Sequence, residues 1–180
     1  MSEQSLRVAV IIGSTREGRF GPTVAHWFVG RAGLRDDIEV DLVDLAEVTV
    51  PSPDLTARID AADAFVVVTP EYNHSFPGPL KHAIDSVHAE WRAKPVAFVS
   101  YGGISGGLRA VQQLRNIFPE LRAMTIRETV SFHQAWFQFD EKGEPIEAEA
   151  VDKAATALLD ELSWWARTLR QGRSSRPYAS

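Results

Sequence analysis

Three short runs of almost uninterrupted apolar residues constrain this chain more than any other feature: LRVAVII at 6–12, AFVVVT at 64–69 and PVAFVSY at 95–101. A strand with one face in water alternates polar and apolar side chains. A run without polar members needs cover on both faces, which a parallel sheet between two helical layers supplies. Two other stretches do alternate. In IEVDLV at 38–43, Glu39 and Asp41 separate Ile38, Val40 and Leu42, and AMTIR at 123–127 alternates around Met124 and Ile126. One solvated face puts these two strands at the sheet edges and the three continuous runs inside.

Helical periodicity fills the intervals. Pro22 suits a first helical position, and Val24, Ala25, Phe28, Val29 and Ala32 form one stripe before Gly33. Leu80, Ala83, Ile84, Val87 and Trp91 repeat the pattern after Pro79, and a third helix is expected from Ser105, as its N-cap, to Pro119. The last helix spans 147–170 with Trp165 on its apolar stripe and Trp164 off it, and QGRSSRPYAS after it reads as frayed. Five strands with the second and fifth at the edges match the flavodoxin-like order 2-1-3-4-5, a three-layer α/β sandwich with right-handed crossovers. The expected organisation is a single domain over residues 1–172 with a flexible tail at 173–180. In that order the crevice opens at the carboxyl ends of strands one and three, so the loops at 13–22, 70–78 and 101–107 face it.

Composition excludes several functions. The 180 residues, 44% of them hydrophobic, suffice for one core. A net charge of −5 opposes binding to nucleic acid, which a basic surface favours. The absence of cysteine removes disulfides, thiolate zinc sites and thiol nucleophiles. His26, His74, His82, His88 and His133 fall in no metal-binding spacing. No apolar run reaches spanning length and MSEQSLRVAV lacks the features of a secretory leader, so the expectation is a cytoplasmic protein with small-molecule chemistry.

The loop after the first strand, GSTREGRFG, has the G-x-x-x-x-G spacing of a triphosphate loop from Gly13 to Gly18, but Arg19 and Phe20 follow where that loop requires Lys and Ser or Thr. What remains are the hydroxyls of Ser14 and Thr15, the guanidinium of Arg16 and a helix start with free N–H groups. That set suits one terminal phosphate monoester.

GSTR, PEYNHSFPGPLKHAID and SYGGISGGLRA, in this order between residues 6 and 130, resemble the NADPH-dependent FMN reductases of the flavodoxin-like superfamily. The resemblance implies an NAD(P)H-dependent oxidoreductase that passes hydride through FMN to a small acceptor: flavin, quinone, azo compound or metal ion. It puts Ser14 and Arg16 on the FMN phosphate, with Pro22, Thr23 and Val24 nearby. It lines the isoalloxazine with Pro70, Glu71, Tyr72 and Asn73, largely through backbone groups, with Ser75 close by. Ser100, Tyr101, Gly102, Gly103 and Gly106 would close the other side. NADPH or NADH would be the reductant, with no catalytic side chain and no metal, and the chain would be a homodimer or homotetramer. Residues 131–146 would help cover the flavin. His74 stands where many members have glycine, and His82 where asparagine is common.

Two other readings fit parts of the sequence. An FMN-holding electron carrier without reductase activity would share these loops. Gly103-Ile104-Ser105-Gly106-Gly107 also satisfies the G-x-S-x-G pattern of serine hydrolases, for which His133, with Glu120 or Glu128, would have to complete a triad.

Overall fold

The computed structural model describes residues 4–176 and 178. Five parallel strands form one sheet in the order β2-β1-β3-β4-β5: β1 Leu6–Ile12, β2 Ile38–Asp44, β3 Ala64–Pro70, β4 Pro95–Gly102 and β5 Met124–His133. All residues of β3 and β4 are buried, whereas β2 and β5 each expose part of one face. The continuous and alternating apolar patterns thus correspond to central and edge strands.

Helices cover both faces. Helix α1 (Gly21–Ala32) and α5 (Ala148–Ser175) enclose one half of the core with Val10, Val68 and Val99. On the other side α2 (Pro53–Ala61), α3 (Gly78–Asp85) and α4 (Leu108–Glu120) pack on Ile11, Val67 and Phe98.

Several boundaries differ from expectation, each for a local reason. Helix α2 has only Leu55 and Ile59 buried, too thin a stripe to stand out, although Ser52 caps it by accepting from the Leu55 N–H at 3.1 Å and Pro53 opens it. The helix after Pro79 stops at Asp85, and a separate 3-10 turn at Ala89–Trp91 brings Trp91 back to the core, where its indole N–H donates to the Ile84 carbonyl. Ser105 is not the N-cap of α4: that place belongs to Gly107, at φ +85°. Helix α5 runs to Ser175, five residues beyond the expected end at 170, because Arg170 and Arg173 reach Asp63 at 3.1 and 3.7 Å and hold the added turns against the sheet. Tail residues 177, 179 and 180 lie outside the described set.

Strand β5 is longer than its alternating segment because a register irregularity lies inside it. Val96 pairs with Thr125, yet Phe98 pairs with Thr129. Side chains satisfy the backbone groups this frees. Arg115 of α4 donates to the carbonyls of Ile126 and Arg127, and Glu161 of α5 accepts from the N–H groups of Arg127 and Glu128. The strand then resumes and carries Ser131 and His133 to the carboxyl edge of the sheet.

Candidate functional site

Three loops meet at the carboxyl ends of β1, β3 and β4. The first, between β1 and α1, is anchored at its root and free at its tip. Gly13 donates to the Val68 carbonyl at 2.9 Å. Arg19 forms a bidentate pair with Asp44 at the end of β2, at 2.5 and 2.7 Å, and also donates to the Ser14 carbonyl at 2.7 Å. Burial would raise the Asp44 carboxyl, but hydrogen bonds from Arg19 and from the Ala46 N–H, together with the Arg19 charge, outweigh it and hold the group below the usual range. Arg19, where a triphosphate loop has lysine, is therefore a structural strut.

Between these anchors, the N–H groups of Ser14, Thr15 and Arg16 have no protein acceptor among the described residues. Ser14 is fully buried and its Oγ accepts from the Tyr101 hydroxyl at 3.1 Å. Helix α1 starts beside them, with Pro22 and Thr23 half-buried. Val24 is wholly inside the core and can offer only its backbone. A Cβ on Gly21 would sit 2.5 Å from Ser14 Oγ and 2.8 Å from the Tyr101 oxygen, so only glycine lets the helix start this close to the hydroxyl pair. Unpartnered amides, a buried hydroxyl and a helix N-terminus together make a donor set for an anion.

The second loop follows β3. Tyr72 and Ser75 exchange backbone hydrogen bonds at 2.8 and 3.0 Å around Asn73 and His74, both left-handed with φ of +51° and +64°. Positive φ at both central positions is the type I′ hairpin geometry. Gln113 of α4 clamps the tip: Ser75 Oγ donates to Gln113 Oε1 at 2.6 Å, and Gln113 Nε2 donates to the His74 carbonyl at 2.8 Å. The Arg16 guanidinium lies 3.7 Å from the centre of the Tyr72 ring, so the first two loops touch across the mouth.

The third loop follows β4 and is fixed mainly through Gly106. Its carbonyl accepts from Ser100 Oγ and Ser131 Oγ, both at 2.8 Å. Its φ is +61°, and an added Cβ would lie 2.5 Å from Ser131 Oγ and 2.8 Å from the His133 ring. The Gly103 carbonyl accepts from the Gln134 N–H at 2.8 Å, which ties the loop to the 3-10 turn Ala135–Phe137.

All fifteen residues singled out by the resemblance gather around this crevice, but several of their side chains serve neighbouring loops. Ser100 points beneath Gly106, the Tyr101 ring lies under the first loop, and Ser75 is committed to Gln113. The carboxylate of Glu71 turns toward the third loop. Burial alone would raise it, but hydrogen bonds from Ser105 and Arg109 hold it below the usual carboxylate range. Pro70 is buried as the last residue of β3, Asn73 is exposed at the hairpin tip, and Gly102 and Gly103 leave backbone at the crevice wall. Sequence reasoning missed Gly21, Arg19 with Asp44, and Gln113. Only Gly21 left a usable signal, a glycine before a helix-opening proline.

A hydrolytic triad is not assembled. Ser105 Oγ donates to Glu71 at 2.5 Å, and His133 Nδ1 is 2.9 Å from the Ile104 carbonyl, so the serine and histidine are committed to different partners.

Sheet order, crevice position and loop architecture define a protein of the flavodoxin-like α/β class. Within that class, the chain belongs to the NADPH-dependent FMN reductase family, which residues 6–137 match. It is 38% identical over 131 residues to an NAD(P)H-dependent FMN reductase of Schizosaccharomyces pombe, covering 62% of this chain and 64% of that protein. It is 34% identical over 146 residues to a quinone reductase of Escherichia coli, covering 71% of this chain and 77% of the relative. Among solved structures, the flavoenzyme NAD(P)H:(acceptor) oxidoreductase FerB of Paracoccus denitrificans superposes with a TM-score of 0.70 at 22% identity, over 90% of this chain and 98% of that one. Among the described residues, no helix is long and apolar enough to cross a membrane.

Proposed function

We propose that the chain is an NAD(P)H-dependent, FMN-binding oxidoreductase that passes electrons from reduced nicotinamide to a small acceptor: a flavin, a quinone, an azo compound or a metal ion. The observation that carries this reading is the first loop, where the free amides of Ser14, Thr15 and Arg16 meet the buried Ser14 hydroxyl and the start of α1. This donor set fits a phosphate monoester, and the hairpin of Tyr72–Ser75 and the glycine loop after β4 stand at the neighbouring strand ends where a planar ring would lie. When bound, FMN would supply hydride-accepting chemistry that no side chain here offers.

The protein's own contribution is positional. Ser14, Arg16, Pro22, Thr23 and Val24 would hold the phosphate end. Pro70, Glu71, Tyr72, Asn73 and Ser75 would form one wall at the ring, and Ser100, Tyr101, Gly102, Gly103 and Gly106 the other. A helix-end interaction contributes only about 0.3–1 kcal/mol when exposed, whereas micromolar affinity requires about 8 kcal/mol. Retention therefore depends on all three loops together.

Large exposed apolar side chains gather beside the crevice, with Ile104, Trp136 and Phe137 at 81%, 52% and 74% exposure. They support association of copies into a homodimer or homotetramer, which sedimentation would read directly. Reduced nicotinamide nucleotides are metabolites of the cell interior, which supports a cytoplasmic place of action.

The deciding experiment is a visible-spectrum titration with FMN, followed by anaerobic addition of NADPH. A bound-flavin spectrum that bleaches on NADPH addition supports the reductase. A bound flavin that NADPH leaves oxidised would favour an electron carrier, and no spectral change at tens of micromolar FMN would overturn the site assignment.

A further inference from the structure

Glu71 is the last place to expect a buried carboxylate, at the rim of an open crevice, yet its side chain is only 7% exposed. Burying a carboxylate is costly unless donors fill its oxygens. Three do. Oε2 accepts from Ser105 Oγ at 2.5 Å and from the Arg109 backbone N–H at 3.1 Å, and Oε1 accepts from Arg109 Nη1 at 2.8 Å. All three donors lie within residues 105–109, so one side chain at the end of β3 grips the whole passage from β4 into α4.

Apart from the anchors at Gly103 and Gly106, residues 105–109 depend on Glu71 for side-chain support. Gly102, Gly103, Gly106 and Gly107 give the passage high backbone freedom, which must be lost for it to keep one shape. Helix α4 has a glycine N-cap with no side-chain acceptor and no acidic residue in its first turn. Its second residue, Arg109, receives from Glu71 the acceptor that a Ser, Asp or Asn cap would ordinarily supply, together with a negative charge suited to a helix N-terminus.

We propose that Glu71 is a positioning residue: by capping α4 from the neighbouring strand and holding Ser105, its carboxylate fixes the Gly102–Gly107 backbone in the shape that receives the flavin ring, and only the Glu71 backbone lies at the ring. The inference rests on the FMN-site reading above. It gives Ser105 and Arg109, which otherwise read as a hydrolase serine and a surface cation, one shared task.

The test compares full-length wild type with Glu71→Ala, Glu71→Gln and Ser105→Ala. Backbone hydrogen exchange in the flavin-free chain reads the loop, and FMN titration reads the site. Glu71→Ala is expected to speed exchange at the Gly106, Leu108 and Arg109 amides about tenfold while leaving Phe98 and Val99 protected, and to weaken FMN binding about tenfold. Glu71→Gln keeps an acceptor and should stay within about threefold of wild type, and Ser105→Ala, which loses one of three donors, should fall between. Weakened FMN binding in Glu71→Ala without faster loop exchange would mean direct contact with the flavin and would overturn the proposal, as would unchanged values for both. If Glu71→Ala does not fold, Ser105→Ala decides: unchanged exchange and affinity in that variant overturn the proposal. Wild type that fails to bind FMN overturns the site reading itself, whereas wild-type binding matched by all three variants overturns only the role of Glu71.

Discussion

The guanidinium of Arg16 stacks on the ring of Tyr72 at 3.7 Å, joining the loop after β1 to the hairpin after β3 across the mouth of the crevice. Arg16 is exposed, and among the described residues its guanidinium makes no hydrogen bond or ion pair. Its removal should leave folding intact. Arg16→Ala is expected to weaken FMN binding about tenfold to a hundredfold, the size of a charge-assisted hydrogen bond, with an unchanged melting temperature. Arg16→Lys should recover only part, because an ammonium neither stacks nor forks as a guanidinium does. Fluorescence titration reads both, and wild-type affinity in Arg16→Ala would remove the phosphate assignment.

His74 occupies a left-handed position, φ +64°, in the hairpin turn. Non-glycine residues are strained there, His less than most, and β-branched residues are genuine outliers. His74→Gly should raise stability by about 0.5 kcal/mol, the relief of strain less the extra unfolded-state freedom of glycine. His74→Val should lower it by more than about 1 kcal/mol. Urea midpoints measure both. A less stable glycine variant would mean that the His74 ring makes a contribution beyond its backbone.

The same position illustrates what could be read from the residues alone. PEYNHSFPGP announced a fixed turn, and His74 stood out, but the reason it stands out, a positive φ, is a property of the closed hairpin. The three central strands were legible because burial on both faces leaves an apolar run that needs no partner to be recognised. The rest of β5 was not, since its continuation past Arg127 depends on Arg115 and Glu161 reaching in from two helices. At the crevice, the resemblance identified which loops meet. It placed Glu71, Ser75 and Ser100 beside the flavin by position, largely through backbone groups, and the directions of their side chains, which a motif does not name, are set by contacts with Gln113, Ser105, Arg109 and Gly106.

Stability should also depend on pH through Asp37, which accepts from Arg35 and Arg167 at 2.9 Å each and so ties the entry to β2 to helix α5. The hydrogen bond from Arg35 is the main cause that lowers its carboxyl to about 2. In the folded chain this group therefore binds fewer protons than in the unfolded chain, where its value is near 3.8. Its contribution is fully present above about pH 4 and is lost as pH falls through about 2. Unfolding free energy should decline across that window, and Asp37→Asn should flatten the decline while costing some stability at neutral pH. An identical acid limb in the variant would show that the ion pair contributes nothing, as solvent-screened pairs can.

Gly21 offers the most direct check on the phosphate-side geometry. A methyl group there would meet Ser14 Oγ at 2.5 Å and the Tyr101 oxygen at 2.8 Å, with Ile12 Cγ2 at 3.0 Å behind them. Strand, loop and helix converge at this point, so nothing can move aside freely, and overpacking of this kind costs about 1–3 kcal/mol. Gly21→Ala should therefore lose stability in that range and bind FMN more weakly, because either Ser14 or the start of α1 must retreat. Adding Ser14→Ala removes the closest contact, so the double variant should regain stability relative to Gly21→Ala alone, a favourable coupling in a mutant cycle. FMN affinity should not return with it, since the hydroxyl that relieves the clash by leaving is also a proposed phosphate donor. Denaturation and FMN titration on the same four proteins separate these effects. Recovery of both together would mean that Ser14 only fills space, and that the anion is held by backbone amides alone.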